Sequence, residues 1–97
     1  MNLPPEQPEA RRTLCICNAK GLHARAASKL VKLAATFECE IWVMRTGMVV
    51  TAGSIMGLMM LGAAKGQDVE IWARGPQAPE AVGAIADLIE RKFDEDD

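Results

Sequence analysis

The sequence predicts an α+β domain, a four-stranded antiparallel sheet with three helices on one face in the order β-α-β-β-α-β-α. Three observations predict it. Four short segments alternate apolar and polar residues, longer segments repeat apolar residues at helical spacing, and the connections include both a two-residue hairpin turn and helical crossings.

Thr13 to Asn18 alternates and carries Leu14 and Ile16, which suits a first strand that Asn18-Ala19-Lys20-Gly21 breaks. From Ala24 to Phe37 the period changes: Ala27, Leu30, Val31, Ala34 and Phe37 share one helical face, while Arg25, Lys29 and Lys32 form a basic stripe on another. Glu38 to Arg45 alternates again, with Cys39, Ile41 and Val43 opposite Glu40, Trp42 and Met44. Thr46-Gly47 then turns the chain into Met48 to Ala52, a hairpin.

Ser54 is placed to cap a short helix over Ile55 to Leu61, in which Ile55 and Leu58 are expected in the core and Met56 and Met59 on the surface. Gln67 to Arg74 is the fourth strand, with Val69, Ile71 and Ala73 opposite Glu70 and Trp72. Pro79 opens a last helix through Val82, Ile85, Ala86, Ile89 and Phe93, and acidic residues end it. If Ile41 and Ile71 face the helices, Trp42 and Trp72 point to the open side of the sheet. There they form either a stabilising cross-strand contact or an exposed apolar patch for self-association.

A chain of 97 residues makes one small domain, burying roughly 60–70% of the surface its unfolded form exposes. The expected organisation is a disordered leader over 1–11 with three prolines, a folded domain over 12–93, and an acidic tail over 94–97. No apolar run approaches the roughly 20 residues a membrane span needs, and the leader lacks the charged and apolar regions of a signal peptide. A cytoplasmic monomer is the expectation. Cys15, Cys17 and Cys39 are odd in number and lack zinc-ligand or Cys-x-x-Cys spacing, so reduced thiols and no metal or cofactor are expected.

The net charge of -2 hides an asymmetry, since every charged residue from Arg11 to Phe37 is basic and the chain ends Asp94-Glu95-Asp96-Asp97. A basic docking face for an acidic partner or anion fits this better than nucleic acid, because the tryptophans have no basic stacking surface around them. The one histidine, His23, lies in the basic half, at the start of the first helix. Backbone N–H groups there point outward and the helix dipole adds partial positive charge, so an anion is favoured and the ring tends to stay neutral and nucleophilic.

Gly21-Leu22-His23-Ala24-Arg25 with Ala26-Ala27, followed by Gly53-Ser54-Ile55-Met56-Gly57-Leu58-Met59-Met60-Leu61-Gly62, strongly resembles the HPr family, histidine-containing phosphocarriers of the phosphoenolpyruvate-dependent phosphotransferase system. The resemblance runs from about Arg12 to Lys92 and implies the HPr-like open-faced β-sandwich. It implies that His23 accepts a phosphoryl group on Nδ1 from phosphorylated enzyme I and passes it to an enzyme IIA-type protein, with Arg25 stabilising the added charge. It makes Ser54 similar to the regulatory serine modified by HPr kinase/phosphorylase, which suggests as an alternative a binding module controlled at Ser54. Lys29, Lys32, Met56 and Met59 are expected to form the docking patch. The family usually has proline after this arginine. Ala26 stands here instead, which hints at a nitrogen-related branch and leaves the sugar pathway open.

Overall fold

The structure is a computed structural model, and it describes residues 7–96. Strands β1 (Ala10–Cys15), β2 (Glu40–Arg45), β3 (Met48–Thr51) and β4 (Asp68–Arg74) alternate with helices α1 (Ala24–Ala34), α2 (Ile55–Met60) and α3 (Ala78–Glu90) in the expected order. All pairings are antiparallel, and the sheet order is β1-β4-β2-β3. No helix among the described residues is long and apolar enough to cross a membrane.

One core lies between the helices and one face of the sheet. Val43, Ile71 and Ala73 from the strands meet Ala26, Ala27 and Leu30 of α1, Leu58 of α2, and Ile85 and Ile89 of α3. Thr46 and Gly47 both have positive φ, 46° and 83°, the paired left-handed geometry that matches the twist of a two-residue hairpin. Ser54 caps α2 as expected, its Oγ accepting the Gly57 N–H at 2.9 Å.

Several boundaries differ from the sequence reading. The first strand starts at Ala10 rather than Thr13, because Ala10 and Arg11 pair with Ala73 and Trp72. Residues 1–6 of the expected leader lie outside the described residues. Helix α1 stops at Ala34, three residues before Phe37, where Thr36 and Phe37 turn back onto the Leu33 and Ala34 carbonyls. Ile55, expected in the core, is exposed, because a helix of 6 residues points only one apolar side chain, Leu58, fully inward. Phe93 is fully buried but lies outside α3, which ends at Glu90: it sits in a short 3-10 turn, Lys92–Asp94, whose three residues have left-handed φ near 60° (59°, 55° and 61°).

Trp42 and Trp72 sit directly opposite each other on β2 and β4, outside the helix-covered core cluster. Arg11 lies over the Trp72 ring at 5.6 Å from its centroid, a cation–π contact. Trp42 is buried and Trp72 half-buried. Of the two readings for these residues, the arrangement is the cross-strand one.

Candidate phosphoryl-transfer site

His23 is the N-cap of α1, with extended backbone (φ −79°, ψ −178°), and its carbonyl accepts the first helical hydrogen bond, from the Ala27 N–H at 2.8 Å. The N–H groups of Ala24, Arg25 and Ala26 therefore have no acceptor within the helix, and together they form the positive end of its dipole. A proline at position 26 would remove one of these donors, whereas alanine keeps it. Ala26 is fully buried against the core.

The turn leading into His23 is fixed from three sides. Gly21 has φ +65°, and a Cβ there would lie 2.5 Å from the Ala63 carbonyl oxygen, so both conformation and close approach demand glycine. Leu22 donates its N–H to that same Ala63 carbonyl at 2.9 Å. Asn18, fully buried, donates from Nδ2 to the Gly21 carbonyl at 2.8 Å. The segment following α2 thus braces the residues that present the histidine.

A second brace comes from the end of the chain. The left-handed turn after α3 brings Glu95 onto the imidazole, where its Oε2 is hydrogen-bonded to His23 Nε2. The other carboxylate oxygen, Oε1, accepts from Asn18 Nδ2 at 3.0 Å. Lys29 Nζ donates to the Phe93 carbonyl at 2.6 Å. Burial pushes the Glu95 carboxyl up, but hydrogen bonds from His23 and Asn18, with the positive fields of His23 and Lys20, hold it net below its ordinary value.

These residues frame an open cleft of about 650 Å³ whose walls include Lys20, His23, Arg25, Lys29 and Glu95. Arg25, exposed at the second position of α1, makes no ion pair among the described residues. Of the residues the sequence singled out, His23, Arg25 and Lys29 share this cleft, although the Lys29 ammonium is turned to the Phe93 carbonyl. Lys32 is exposed in the last turn of α1, outside the cleft. Ser54 is half-buried at the start of α2, and Met56 and Met59 are exposed on it at 74% and 43%.

Sequence reasoning missed Asn18 and Glu95. Asn18 read as a strand breaker and Glu95 as one acid among four. The only local signal for Glu95 was Phe93, an apolar anchor two residues before it.

An open-faced β-sandwich that mounts a partly exposed histidine on a helix N-terminus, beside free cations, belongs to the class of phosphocarrier domains. Residues 10–91 match the family model described as PTS HPr component phosphorylation site. The phosphocarrier protein NPr of Shewanella violacea is 42% identical over 84 residues, 87% of this chain and 92% of that protein. The phosphocarrier protein HPr of Neisseria meningitidis serogroup A is 44% identical over 85 residues, 88% and 96% of the two chains. An HPr crystal structure from Thermoanaerobacter tengcongensis superposes with a TM-score of 0.85 at 44% identity, over 90% of this chain and 98% of that one. The chain belongs to the HPr family, the phosphocarriers of the phosphotransferase system.

Proposed function

We propose that His23 Nδ1 accepts a phosphoryl group from phosphorylated enzyme I and hands it to an enzyme IIA-type acceptor. One observation carries this reading: the histidine caps α1, where three backbone N–H groups lack a helical acceptor, with one ring nitrogen engaged by Glu95 and with Arg25 in the same cleft. The Nδ1 lone pair attacks phosphorus while the bond from phosphorus to the donor breaks, its electron pair leaving on the donor. The helix N-terminus and Arg25 share the added negative charge. Because the cleft is open and no side chain encloses the group, the acceptor can reach it from solvent and reverse the step.

The test is incubation with phosphoenolpyruvate and enzyme I, followed by detection of acid-labile phosphate. Label on the wild type and none on His23→Ala is the expected outcome; equal label on both would overturn the assignment.

Ser54 is a second proposed site, for a kinase of the HPr kinase/phosphorylase type. Support comes from its partial exposure and from its position on the same short helix as Met56 and Met59. Those methionines, with Arg25 and Lys32 on α1, form the proposed docking surface for enzyme I and the acceptor: soft apolar side chains rimmed by cations, suited to successive partners. Lys29 joins them in that role only if it leaves the Phe93 carbonyl. A phosphate on Ser54 adds about −1.5 to −2 charges there, which disfavours an acidic partner.

A further inference from the structure

We propose that Glu95, held by Asn18, is the positioning residue of His23: it accepts the Nε2 proton, fixing the tautomer and ring orientation that leave the Nδ1 lone pair free for phosphoryl transfer. This rests on the relay reading above. Glu95 lies beyond the segment that matches the family model, which ends at residue 91.

A carboxylate can only accept, so its bond to Nε2 places the proton on that nitrogen and the lone pair on Nδ1. The carboxylate is itself fixed. Its Oε1 is held by a fully buried asparagine whose Nδ2 also holds the Gly21 carbonyl, so one amide locks both the turn before His23 and the acid beneath it. The segment that delivers Glu95 is built at a cost. Three consecutive non-glycine residues in the left-handed region each cost about 1–2 kcal/mol, and they are retained by the buried Phe93 ring, the Lys29 bond to the Phe93 carbonyl, and the Arg91–Asp94 pair at 3.0 Å. Strain of this kind next to a reacting group is the signature of a segment selected for where it puts a side chain.

The charge balance agrees. When Nδ1 bonds to phosphorus, the ring becomes cationic with its proton still on Nε2, and the Glu95 carboxylate lies against that new charge. When the phosphoryl group leaves, the electron pair of the N–P bond returns to Nδ1 and the ring is neutral again. The other charged groups around the ring are Lys20, Arg25 and Lys29, with Asp94 and Asp96 on the returning segment. Among the described residues none of these groups is bonded to the imidazole, so the tautomer falls to Glu95.

The ring nitrogens report this directly. In the full chain, ¹⁵N NMR at neutral pH is expected to show Nε2 in the N–H range and Nδ1 in the lone-pair range. In Glu95→Ala the two shifts should converge as the tautomers mix, and phosphoryl acceptance from enzyme I should slow by about tenfold or more. Glu95→Gln, whose amide oxygen still accepts, should keep the wild-type shifts and lose less rate. Unchanged shifts and a rate within about twofold of wild type in Glu95→Ala, with an intact amide fingerprint, would overturn the proposal. If the wild type takes no phosphate, the relay reading fails; the shifts then still decide whether Glu95 holds the tautomer.

Discussion

The Lys29 ammonium lies 2.6 Å from the Phe93 carbonyl oxygen, so the helix that begins at His23 and the segment that returns to it are joined at two points, six residues apart on the helix side. Glu95 makes the other junction, at the imidazole. Phe93, which carries the first junction on its carbonyl, has no exposed surface.

Phe93→Ala therefore removes both a core side chain and the anchor of the returning segment. Loss of about 3–5 kcal/mol is expected, in the range for large buried aromatics, read as a lower urea midpoint. Lys29→Met, which keeps the aliphatic stem but not the half-exposed bond, should cost only about 1 kcal/mol. It should speed amide exchange at residues 92–95 without moving the rest of the fold.

Acid should release the same segment. The folded carboxyl of Glu95 is held below its ordinary value, so its contribution is complete above the unfolded value and is lost as pH falls through the folded one. Stability should thus drop in the acid range at and below the ordinary glutamate value, and Glu95→Gln should flatten that limb. Urea unfolding across this range checks the sign.

Ser54→Ala should cost about 1 kcal/mol through loss of the N-cap, a fall of about 4–8 °C in Tm for a domain of this size. Ser54→Asp keeps an acceptor for the Gly57 N–H and should retain most stability. Under the proposed docking it should nevertheless take phosphate from enzyme I more slowly, which separates the capping role from the charge effect.

Two glycines with positive φ give a paired test of the turn before His23. Gly47→Ala meets no atom within 4 Å, and should cost only the left-handed penalty of about 1–2 kcal/mol. Gly21→Ala adds a Cβ 2.5 Å from the Ala63 oxygen, and should cost about 2–4 kcal/mol. It should also shift the His23 resonances, because the clash lies in the turn that presents the ring.

The parts of this design that were legible are those with local periodicity. Alternation gave the four strands, helical spacing gave α1 and α3, and Ser54 announced its own cap. Phe93 was misread because its spacing from Ile89 continues the apolar face of α3, and only the left-handed backbone at Lys92 to Asp94 takes it out of the helix. The Glu95–His23 contact spans 72 positions, and no pattern along the chain encodes a pairing that depends on where a turn aims. Trp42 carries a similar lesson. Alternation put it on the open face, yet it is buried there, directly opposite Trp72 on β4 and Thr51 on β3.

The sheet order β1-β4-β2-β3 has a consequence for synthesis. β1 pairs only with β4, the Leu22 N–H waits for Ala63, and the Ile16 N–H waits for Gln67. A nascent chain that has emerged only as far as β3 already contains His23, Arg25 and the whole basic stripe, yet lacks the Ala63 carbonyl and the Glu95 carboxylate that brace the turn presenting them. The histidine becomes a defined site only after translation has delivered the strand and the acid that reach back to it.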